Sequence, residues 1–344
     1  MTDERQAVAP RLTERTPTMS ATELAATLVP PRQFDTASFE SYRPDPDYPS
    51  QSEALAKIEA FSRGFGAGRT GGFFSRVKKA PAVKPGIYLD GGFGVGKTHL
   101  LAALWHAAPG PKYFGTFIEY TALIGALGYA NAVKLFTGAA FIAIDEFELD
   151  DPGDTMLMTR FLGELAGTGT RLAATSNTPP NALGEGRFAA ADFLREIQAI
   201  ADRFDIVRID GLDYRRRDIE GHAVGFGSEA ELEGAVAARV AAGESITSDG
   251  FAALVQHLGT IHPSRYIKLI EGVDVIALHD VTPLTDQTDA LRLVAFVDRV
   301  YDAQIRILAS GTTLDAVFAG DMLNGGYRKK YLRAVSRLIA SATL

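Results

Sequence analysis

The sequence predicts an α/β fold, in which a parallel sheet with flanking helices is followed by a smaller C-terminal α/β region. From Gly86 onward, short apolar runs alternate with helical stretches, which is typical of a parallel sheet covered on both faces. A glycine-rich segment and an acidic pair directly follow two of these runs. Both therefore fall at the carboxyl ends of strands, where ligands bind in open α/β sheets.

The elements follow in order along the chain. Residues 1–30 are polar and are predicted to form a flexible N-terminal tail. After a proline-rich connector, which disfavours helix, a helix is predicted near Ser50, and residues 31–220 are predicted to form the core domain. Apolar runs predict its strands at Ile87–Leu89, Lys112–Thr116, Phe141–Ile144, Arg171–Thr175 and Ile206–Ile209. The C-terminal region, residues 221–344, is predicted to hold strands Val273–Leu278 and Gln304–Ala309, helix Asp289–Tyr301 and a closing helix Tyr327–Ile339.

Composition excludes several classes of site. The 344 residues include no cysteine, which excludes disulfides, thiolate catalysis, iron–sulfur clusters and cysteine-ligated zinc. The net charge of −7 argues against coating nucleic acid by bulk electrostatics but leaves room for a local basic site. No stretch approaches the roughly 18–20 apolar residues of a membrane span, and no secretory signal is recognisable. A cytoplasmic protein is therefore expected.

The first chemical signature is a phosphate-binding loop. Residues 91–98 read Gly91-Gly92-Phe93-Gly94-Val95-Gly96-Lys97-Thr98 and match the pattern G-x-x-x-x-G-K-[ST] in full. The glycines let backbone N–H groups converge on phosphate oxygens, and the following helix adds its positive end. Lys97 is predicted to reach the β- and γ-phosphates of ATP, and Thr98 to ligate Mg²⁺. A dinucleotide-binding loop is excluded, because its last glycine would fall at His99.

The second signature is an acidic pair after a buried strand. Asp145 and Glu146 directly follow the apolar run 141–144. Asp145 is predicted to bind the Mg²⁺ ion through its hydration shell, and Glu146 to orient and polarise the attacking water. Nucleotide-hydrolysing P-loop proteins need such a second acid, whereas small-molecule kinases use the hydroxyl of their substrate.

Polar side chains that follow the next strand are candidates for sensing the γ-phosphate. Asn177 stands at a predicted strand tip beside Asp145, although Asn-Thr-Pro-Pro is also a good turn sequence. Arg187, Arg195 and Arg203 come next. An arginine from a neighbouring subunit can neutralise charge on the transferred phosphoryl group, worth about 10³–10⁵ in rate. Most helical arginines are simply solvated, so each of the three is a candidate only.

Together these strings resemble the AAA+ ATPases of the ASCE class of P-loop NTPases, and among them the ZapE family of cell-division ATPases with its mitochondrial relatives. The most specific matches are Ile144-Asp145-Glu146-Phe147 and Ala174-Thr175-Ser176-Asn177-Thr178-Pro179-Pro180. The resemblance covers nearly the whole chain, and its other matching strings are Pro30-Pro31-Arg32-Gln33-Phe34, Phe39–Tyr42, Gln51, Asp213-Tyr214-Arg215, Phe296–Asp302 and Ser336-Arg337-Leu338.

The resemblance implies roles that the residues alone do not. It makes Asn177 the sensor-1 position, Arg187 the best match to an arginine finger, and Arg337 a second sensor that binds the nucleotide from the C-terminal region. Thr178 stands where the family has a basic residue. The string 184–187 matches the family only loosely, which leaves the finger open between Arg187 and the later arginines.

The predicted function is Mg²⁺-dependent ATP hydrolysis coupled to conformational work on protein partners. A site shared between subunits predicts homo-oligomers on ATP binding. The resemblance implies clients in the division machinery or among proteins destined for a protease. Two alternatives stay open: a loader-type switch in which ATP controls grip on nucleic acid, disfavoured by the −7 charge, and a P-loop kinase. Peripheral membrane contact also stays open.

Overall fold

The computed structural model describes residues 9–65, 84–92, 94–149, 152–179, 183, 194–212 and 225–343. The chain divides into two compact units. The P-loop unit comprises Ala21–Pro30 and Phe34–Tyr214, and the C-terminal unit comprises Met1–Ser20, Pro31–Gln33 and Arg215–Leu344.

The P-loop unit alternates strands and helices as the sequence predicts. Its helices are α1 (Ala21–Ala26), α2 (Pro49–Ser62), α3 (Lys97–Ala107), α4 (Phe117–Leu127), α5 (Tyr129–Phe136), α6 (Pro152–Gly167) and α7 (Leu194–Ala201). Its strands are β1 (Gly86–Gly91), β2 (Lys112–Thr116), β3 (Phe141–Asp145), β4 (Arg171–Ser176) and β5 (Phe204–Ile209). All five predicted core strands are confirmed within one or two residues.

Within the described residues, these strands form one parallel sheet in the order β2-β3-β4-β1-β5. Strand β4 lies between β1, which leads into the phosphate-binding loop, and β3, which carries the acidic pair. Asp90 of β1 pairs with Ser176 of β4, and Thr116 of β2 pairs with Asp145 of β3. The three central strands therefore end at the same edge, and Asn177 follows beside the loop.

The central strands are buried on both faces. All residues of β1 and of β3 are buried, as expected for parallel strands between helices. On one face, Ile87 and Leu89 pack in a cluster with residues of α2 and α3. On the other face, Tyr88 lies edge-to-face against Phe147 and Phe204. This packing fixes the carboxyl ends of β1 and β3 against rigid neighbours.

The C-terminal unit contains a second, smaller parallel sheet. Its described strands are β6 (Ile246–Gly250), β7 (Val275–Val281) and β8 (Arg306–Gly311), in the order β6-β7-β8. Its helices are α8 (Glu229–Ala241), α9 (Phe251–Leu258), α10 (Tyr266–Leu269), α11 (Gln287–Asp302) and α12 (Arg328–Thr343). The described short 3-10 helices of this unit are Leu12–Glu14, Pro263–Arg265, Leu314–Ala316 and Gly320–Leu323, and a further one is Arg32–Phe34. The predicted α/β fold with a smaller C-terminal α/β region is confirmed.

Helix α8 lies in a stretch that is rich in glycine, alanine and glutamate and has no strong helical pattern of apolar residues. It forms because Ser228 caps its first turn by accepting a hydrogen bond from the Glu231 amide. Leu232 is then buried against the sheet, beside Ile246 and Val275. One buried face of α8 therefore stabilises a helix that local sequence predicts only weakly.

Residues 9–20 differ from the predicted flexible tail. Leu12 is fully buried in the core of the C-terminal unit. Its amide and that of Thr13 each donate to the carboxylate of Asp249 at 3.0 Å. The guanidinium of Arg15 donates to the carbonyl of Leu269 at 2.9 Å. The amides of Leu12 and Thr13 thus donate to a buried carboxylate more than two hundred residues away in the sequence. The sequence near residue 12 does not predict such a partner.

Candidate functional site

The phosphate-binding loop joins β1 to α3, and two of its glycines are required by their surroundings. A Cβ atom at Gly91 would lie 2.2 Å from the carbonyl oxygen of Ile209. Gly96 has a φ of +84°, and a Cβ there would lie 2.5 Å from the ring of Tyr42. Burial raises the pKa of Tyr42 to about 12, so its hydroxyl stays protonated and donates to the Val95 carbonyl at 3.0 Å. The loop is thus held close to its neighbours.

Lys97 lies at the centre of the site. It is 9% exposed, and its Nζ donates to the carbonyls of Gly91 and Gly92 at 3.0 and 2.5 Å. The same Nζ donates to Oδ1 of Asn177 at 2.9 Å. The structure therefore brings the predicted lysine and the predicted sensor asparagine into direct contact across β1 and β4.

Asp145 and Thr98 meet at the same edge of the sheet. Thr98 Oγ1 lies 3.2 Å from each carboxylate oxygen of Asp145. The Asp145 carboxylate is buried, and it also accepts a hydrogen bond from the hydroxyl of Thr175. A hydroxyl and a carboxylate in contact form an oxygen-donor pair of the kind that Mg²⁺ prefers.

Glu146 follows Asp145 in an unusual backbone conformation. Its φ is +53°, in the left-handed region that few non-glycine residues adopt. The Glu146 amide donates to Thr175 Oγ1 at 3.0 Å, and the Phe147 amide donates to the Thr175 carbonyl at 2.7 Å. These bonds hold the backbone turn that follows β3 at Glu146.

Thr175 is the residue that sequence reasoning missed. Its hydroxyl touches both members of the acidic pair, because it donates to Asp145 and accepts from the Glu146 amide. The sequence contains the signal only as a threonine two residues before Asn177. Its contact with the acidic pair depends on the pairing of β3 with β4, which cannot be predicted from either segment alone.

The arginine candidates are spread over different positions. Arg187, like Phe93 of the loop, lies outside the described residues. Arg195 is exposed on α7. Arg203 is half-buried just before β5 and lies against α6, where its guanidinium would stand 2.9 Å from a Cβ atom at Gly163. Of the two described candidates, Arg195 presents the more accessible side chain.

Arg337 contacts an acid within the C-terminal unit. Its guanidinium forms an ion pair with Asp298 of α11, and it lies 5.3 Å from the ring of Tyr301. Arg333, one turn earlier on α12, binds the same carboxylate at 2.7 Å. The strings around Asp298 and Arg337 therefore have a packing role in joining α11 to α12.

Within the ranges described above, no group of three or more histidine, aspartate and glutamate side chains is arranged to hold a metal ion. The Thr98–Asp145 pair fits a cation that takes its remaining oxygens from a nucleotide and from water, as Mg²⁺ does in nucleotide sites. None of the described helices has the length and apolar character needed to cross a membrane.

Comparison with known proteins places this chain in a family. A family model described as AFG1-like ATPase matches residues 18–236 and 227–343. The chain belongs to the AFG1-like ATPase family. This AFG1-like ATPase is 27% identical over 353 residues to cell division protein ZapE of Escherichia coli K12, covering 87% of this chain and 91% of ZapE. It is 31% identical over 108 residues to Lactation elevated protein 1 homolog B of Danio rerio, covering 30% of this chain and 22% of that protein.

Solved structures similar to the AFG1-like ATPase include two replication proteins. The DnaC helicase loader has a TM-score of 0.35 at 16% identity, covering 52% of this chain and 99% of the loader. The replication initiator DnaA bound to AMPPCP and single-stranded DNA has a TM-score of 0.40 at 12% identity, covering 89% of this chain and 87% of DnaA.

Family membership confirms that this chain is an ATPase with a P-loop. The geometry described above then gives four of the predicted site residues a physical setting. Lys97 donates to Asn177, and Thr98 contacts Asp145, which also accepts from Thr175. Nucleotide binding by the family also implies a divalent metal ion, for which the Thr98–Asp145 pair is the matching donor set.

Replacing Thr175 with valine is expected to lower kcat for ATP hydrolysis by about 10-fold or more, since each lost hydrogen bond to a charged group is worth roughly 1.5–3 kcal/mol. The valine keeps the shape of the side chain but cannot bond Asp145 or the Glu146 amide. Steady-state phosphate release measures the effect, and Thr175→Ser, which keeps the hydroxyl, is the matched control. Equal rates for the valine and serine variants would contradict this positioning role.

Proposed function

We propose that this AFG1-like ATPase hydrolyses ATP with Mg²⁺ at the edge of the sheet formed by β1, β3 and β4, and uses the energy to do conformational work on protein partners. The observation that carries the proposal is the meeting of Lys97, Thr98, Asp145 and Asn177 at that edge, with Glu146 next in the chain. These are the groups needed to bind a triphosphate and to activate water.

The loop binds the phosphates through its backbone. Residues 91–96 supply amide N–H groups, and α3 begins at Lys97 with its positive end toward them. The Lys97 ammonium, which donates to two loop carbonyls and to Asn177, moves onto the β- and γ-phosphates when ATP binds. Thr98 and Asp145 would hold Mg²⁺, which would supply positive charge against the phosphate oxygens.

Glu146 orients the attacking water. Glu146 directly follows β3, at the same edge as the loop, and its backbone turns there with a left-handed φ of +53°. Asp145 is bonded to Thr98 and Thr175, so it serves the metal ion, while Glu146 acts as general base. The two acids thus have separate roles because their surroundings differ.

Asn177 links the state of the nucleotide to the rest of the unit. It accepts a hydrogen bond from Lys97, and it directly follows β4, the strand that also positions the acidic pair through Thr175. Exchange of this contact for the γ-phosphate changes the loop after β4.

The partners follow from the relatives. Similarity to cell division protein ZapE over 87% of the chain supports a role in cell division, with a protein of the division machinery as client and the cytoplasm as location. The shared-site mechanism supports homo-oligomers that form on ATP binding, with Arg187 as the arginine given to the neighbouring site.

Sizing by light scattering tests the shared site. The wild type is expected to grow in mass when MgATP is added, and Arg187→Ala to assemble but hydrolyse about 10³-fold more slowly. Arg160→Ala is the control, since Arg160 is exposed and its guanidinium contacts Glu164 and the ring of Tyr129. A wild type that stays monomeric with MgATP, at concentrations where it hydrolyses ATP, rules out a site completed by a second subunit.

A further inference from the structure

A series of hydrogen-bonded polar side chains lies on the small sheet of the C-terminal unit. Ser248 of β6, His279 of β7 and Glu229 of α8 are linked in series. Ser248 Oγ lies 2.6 Å from His279 Nε2, and His279 Nδ1 lies 2.5 Å from Glu229 Oε2. Each residue comes from a different element, so the arrangement is a product of the tertiary fold.

His279 places one end of the series at the carboxyl edge of the sheet. His279 lies near the carboxyl end of β7, Ser248 is the middle residue of the adjacent parallel strand β6, and Glu229 is in the first turn of α8. Ser248 lies two residues after the buried Ile246, and His279 lies two residues after the buried Ala277. Residues two apart on a strand share a face, so Ser248 and His279 lie on the face that α8 covers. Open α/β sheets bind their ligands at such an edge.

The order of the groups matches nucleophilic catalysis. In a serine hydrolase, a hydroxyl is bonded to one imidazole nitrogen, and a carboxylate bonded to the other nitrogen fixes its tautomer. Hydrogen bonds from Ser310 and then from His279 lower the pKa of Glu229, so it stays ionised and accepts from Nδ1. Nε2 is then the basic nitrogen, and it faces the hydroxyl of Ser248.

The groups are accessible, and the backbone next to them is unusual. The side chains of His279 and Glu229 are 22% and 44% exposed, and Ser248 is partly exposed. Asp280, directly after His279, has a φ of +55° and donates its amide to Ser310 Oγ at 3.1 Å. Strained backbone of this kind is often found at functional sites.

We propose that Ser248, His279 and Glu229 form a second active site, which hydrolyses activated carboxylic esters independently of ATP. Ser248 is the nucleophile, His279 the general base and then general acid, and Glu229 a positioning residue. Glu231 in the first turn of α8 and Asp280 beside His279 make the surroundings acidic. The substrates are therefore uncharged or cationic esters rather than anionic ones.

The reaction proceeds in two balanced steps. The Ser248 oxygen bonds to the carbonyl carbon while its proton passes to His279 Nε2, and the bond to the leaving oxygen breaks as that oxygen takes the proton. A water molecule then attacks the acyl carbon, the bond between that carbon and the Ser248 oxygen breaks, and a proton of the water passes through His279 to the Ser248 oxygen. The products are a carboxylic acid and an alcohol, and the three side chains return to their starting state.

Labelling of the full-length protein with a fluorophosphonate probe tests the proposal. Such probes phosphonylate an activated serine with loss of fluoride, and mass spectrometry of the digested protein locates the adduct. We expect the adduct on Ser248 in the wild type. His279→Gln is expected to slow labelling by about 10²-fold or more, the usual contribution of a general base, and hydrolysis of p-nitrophenyl acetate should fall in parallel.

Matched variants separate catalysis from folding. Ser245→Ala, just before the start of β6, should label like the wild type, and circular dichroism of every variant reports an intact fold. Glu229→Gln should lower kcat for p-nitrophenyl acetate with little change in KM, which a merely structural role would not produce. An unlabelled Ser248 in wild type that hydrolyses ATP, or equal labelling of His279→Gln, overturns the proposal and leaves the series as a structural network.

Discussion

Glu146→Gln is expected to lower kcat for ATP hydrolysis by about 10²–10⁴, the usual contribution of a general base, while MgATP binding and assembly persist. Glutamine keeps the size of the side chain but cannot take a proton from water. Because Asp145, Thr98 and Lys97 keep their contacts, the groups that hold the nucleotide are unchanged. Single-turnover phosphate release, measured with enzyme in excess over ATP, isolates the chemical step.

Two comparisons sharpen this experiment. Glu164→Gln should hydrolyse ATP at the wild-type rate, because Glu164 is an exposed acid that pairs with Arg160. The wild type should release phosphate in water alone, whereas a P-loop kinase would need an acceptor substrate. Turnover retained in Glu146→Gln removes the general-base role from this residue.

Asp298→Asn is expected to destabilise the C-terminal unit by about 3–5 kcal/mol, the usual cost of leaving buried charges without their partner. Asp298 is 13% exposed and binds the guanidinium groups of Arg333 and Arg337, which are 6% and 11% exposed. The two arginines are one turn apart on the same face of α12. Without the carboxylate, two nearby positive charges remain between α11 and α12. Denaturant unfolding followed by circular dichroism measures the loss.

The same carboxylate predicts a dependence of stability on pH. Burial alone raises the pKa of Asp298, but the attraction and hydrogen bonds of Arg333 and Arg337 outweigh it and lower the pKa to about 2 from 3.8. A carboxyl whose pKa is depressed by folding contributes stability that is present above its unfolded pKa and is lost as pH falls through its folded pKa. The wild type should therefore lose stability between about pH 4 and pH 2 more steeply than Asp298→Asn.

Asp289→Asn is the control for both measurements. Asp289 lies on the same helix and pairs with Arg292, but its side chain is 38% exposed. An exposed pair of this kind is worth about 0–1 kcal/mol. Equal unfolding midpoints for Asp298→Asn and Asp289→Asn would show that the Asp298 pairs do not hold α11 to α12.

The central sheet could be predicted because its strands carry local signals. The two runs before the phosphate-binding loop and before the acidic pair are short and apolar, and each is followed directly by residues that can bind a nucleotide or a metal ion. Parallel pairing then brings these ends to one edge, so Lys97 and Asp145 could be placed together before the structure was known. Strand order and register involve distant segments, which is why the contact of Thr175 with the acidic pair could not be predicted.

Outside the P-loop unit, local signals were weaker. Leu12 and Thr13 pack into the C-terminal unit through Asp249, although the surrounding sequence is polar. Ser248, His279 and Glu229 are separated in the sequence and meet only because β6 pairs with β7 beneath α8. In both cases the deciding contact joins segments far apart along the chain, and periodicity within either segment carries no information about it.

Calorimetric titration of MgATP into the wild type and Lys97→Ala tests the central claim most directly, because Lys97 touches both the loop and Asn177. The wild type is expected to bind MgATP, and Lys97→Ala to bind it at least about 10-fold more weakly, since a hydrogen bond to a charged group contributes roughly 1.5–3 kcal/mol. The same Kd for both proteins, or no binding by a folded wild type, would contradict a triphosphate site at Gly91–Thr98.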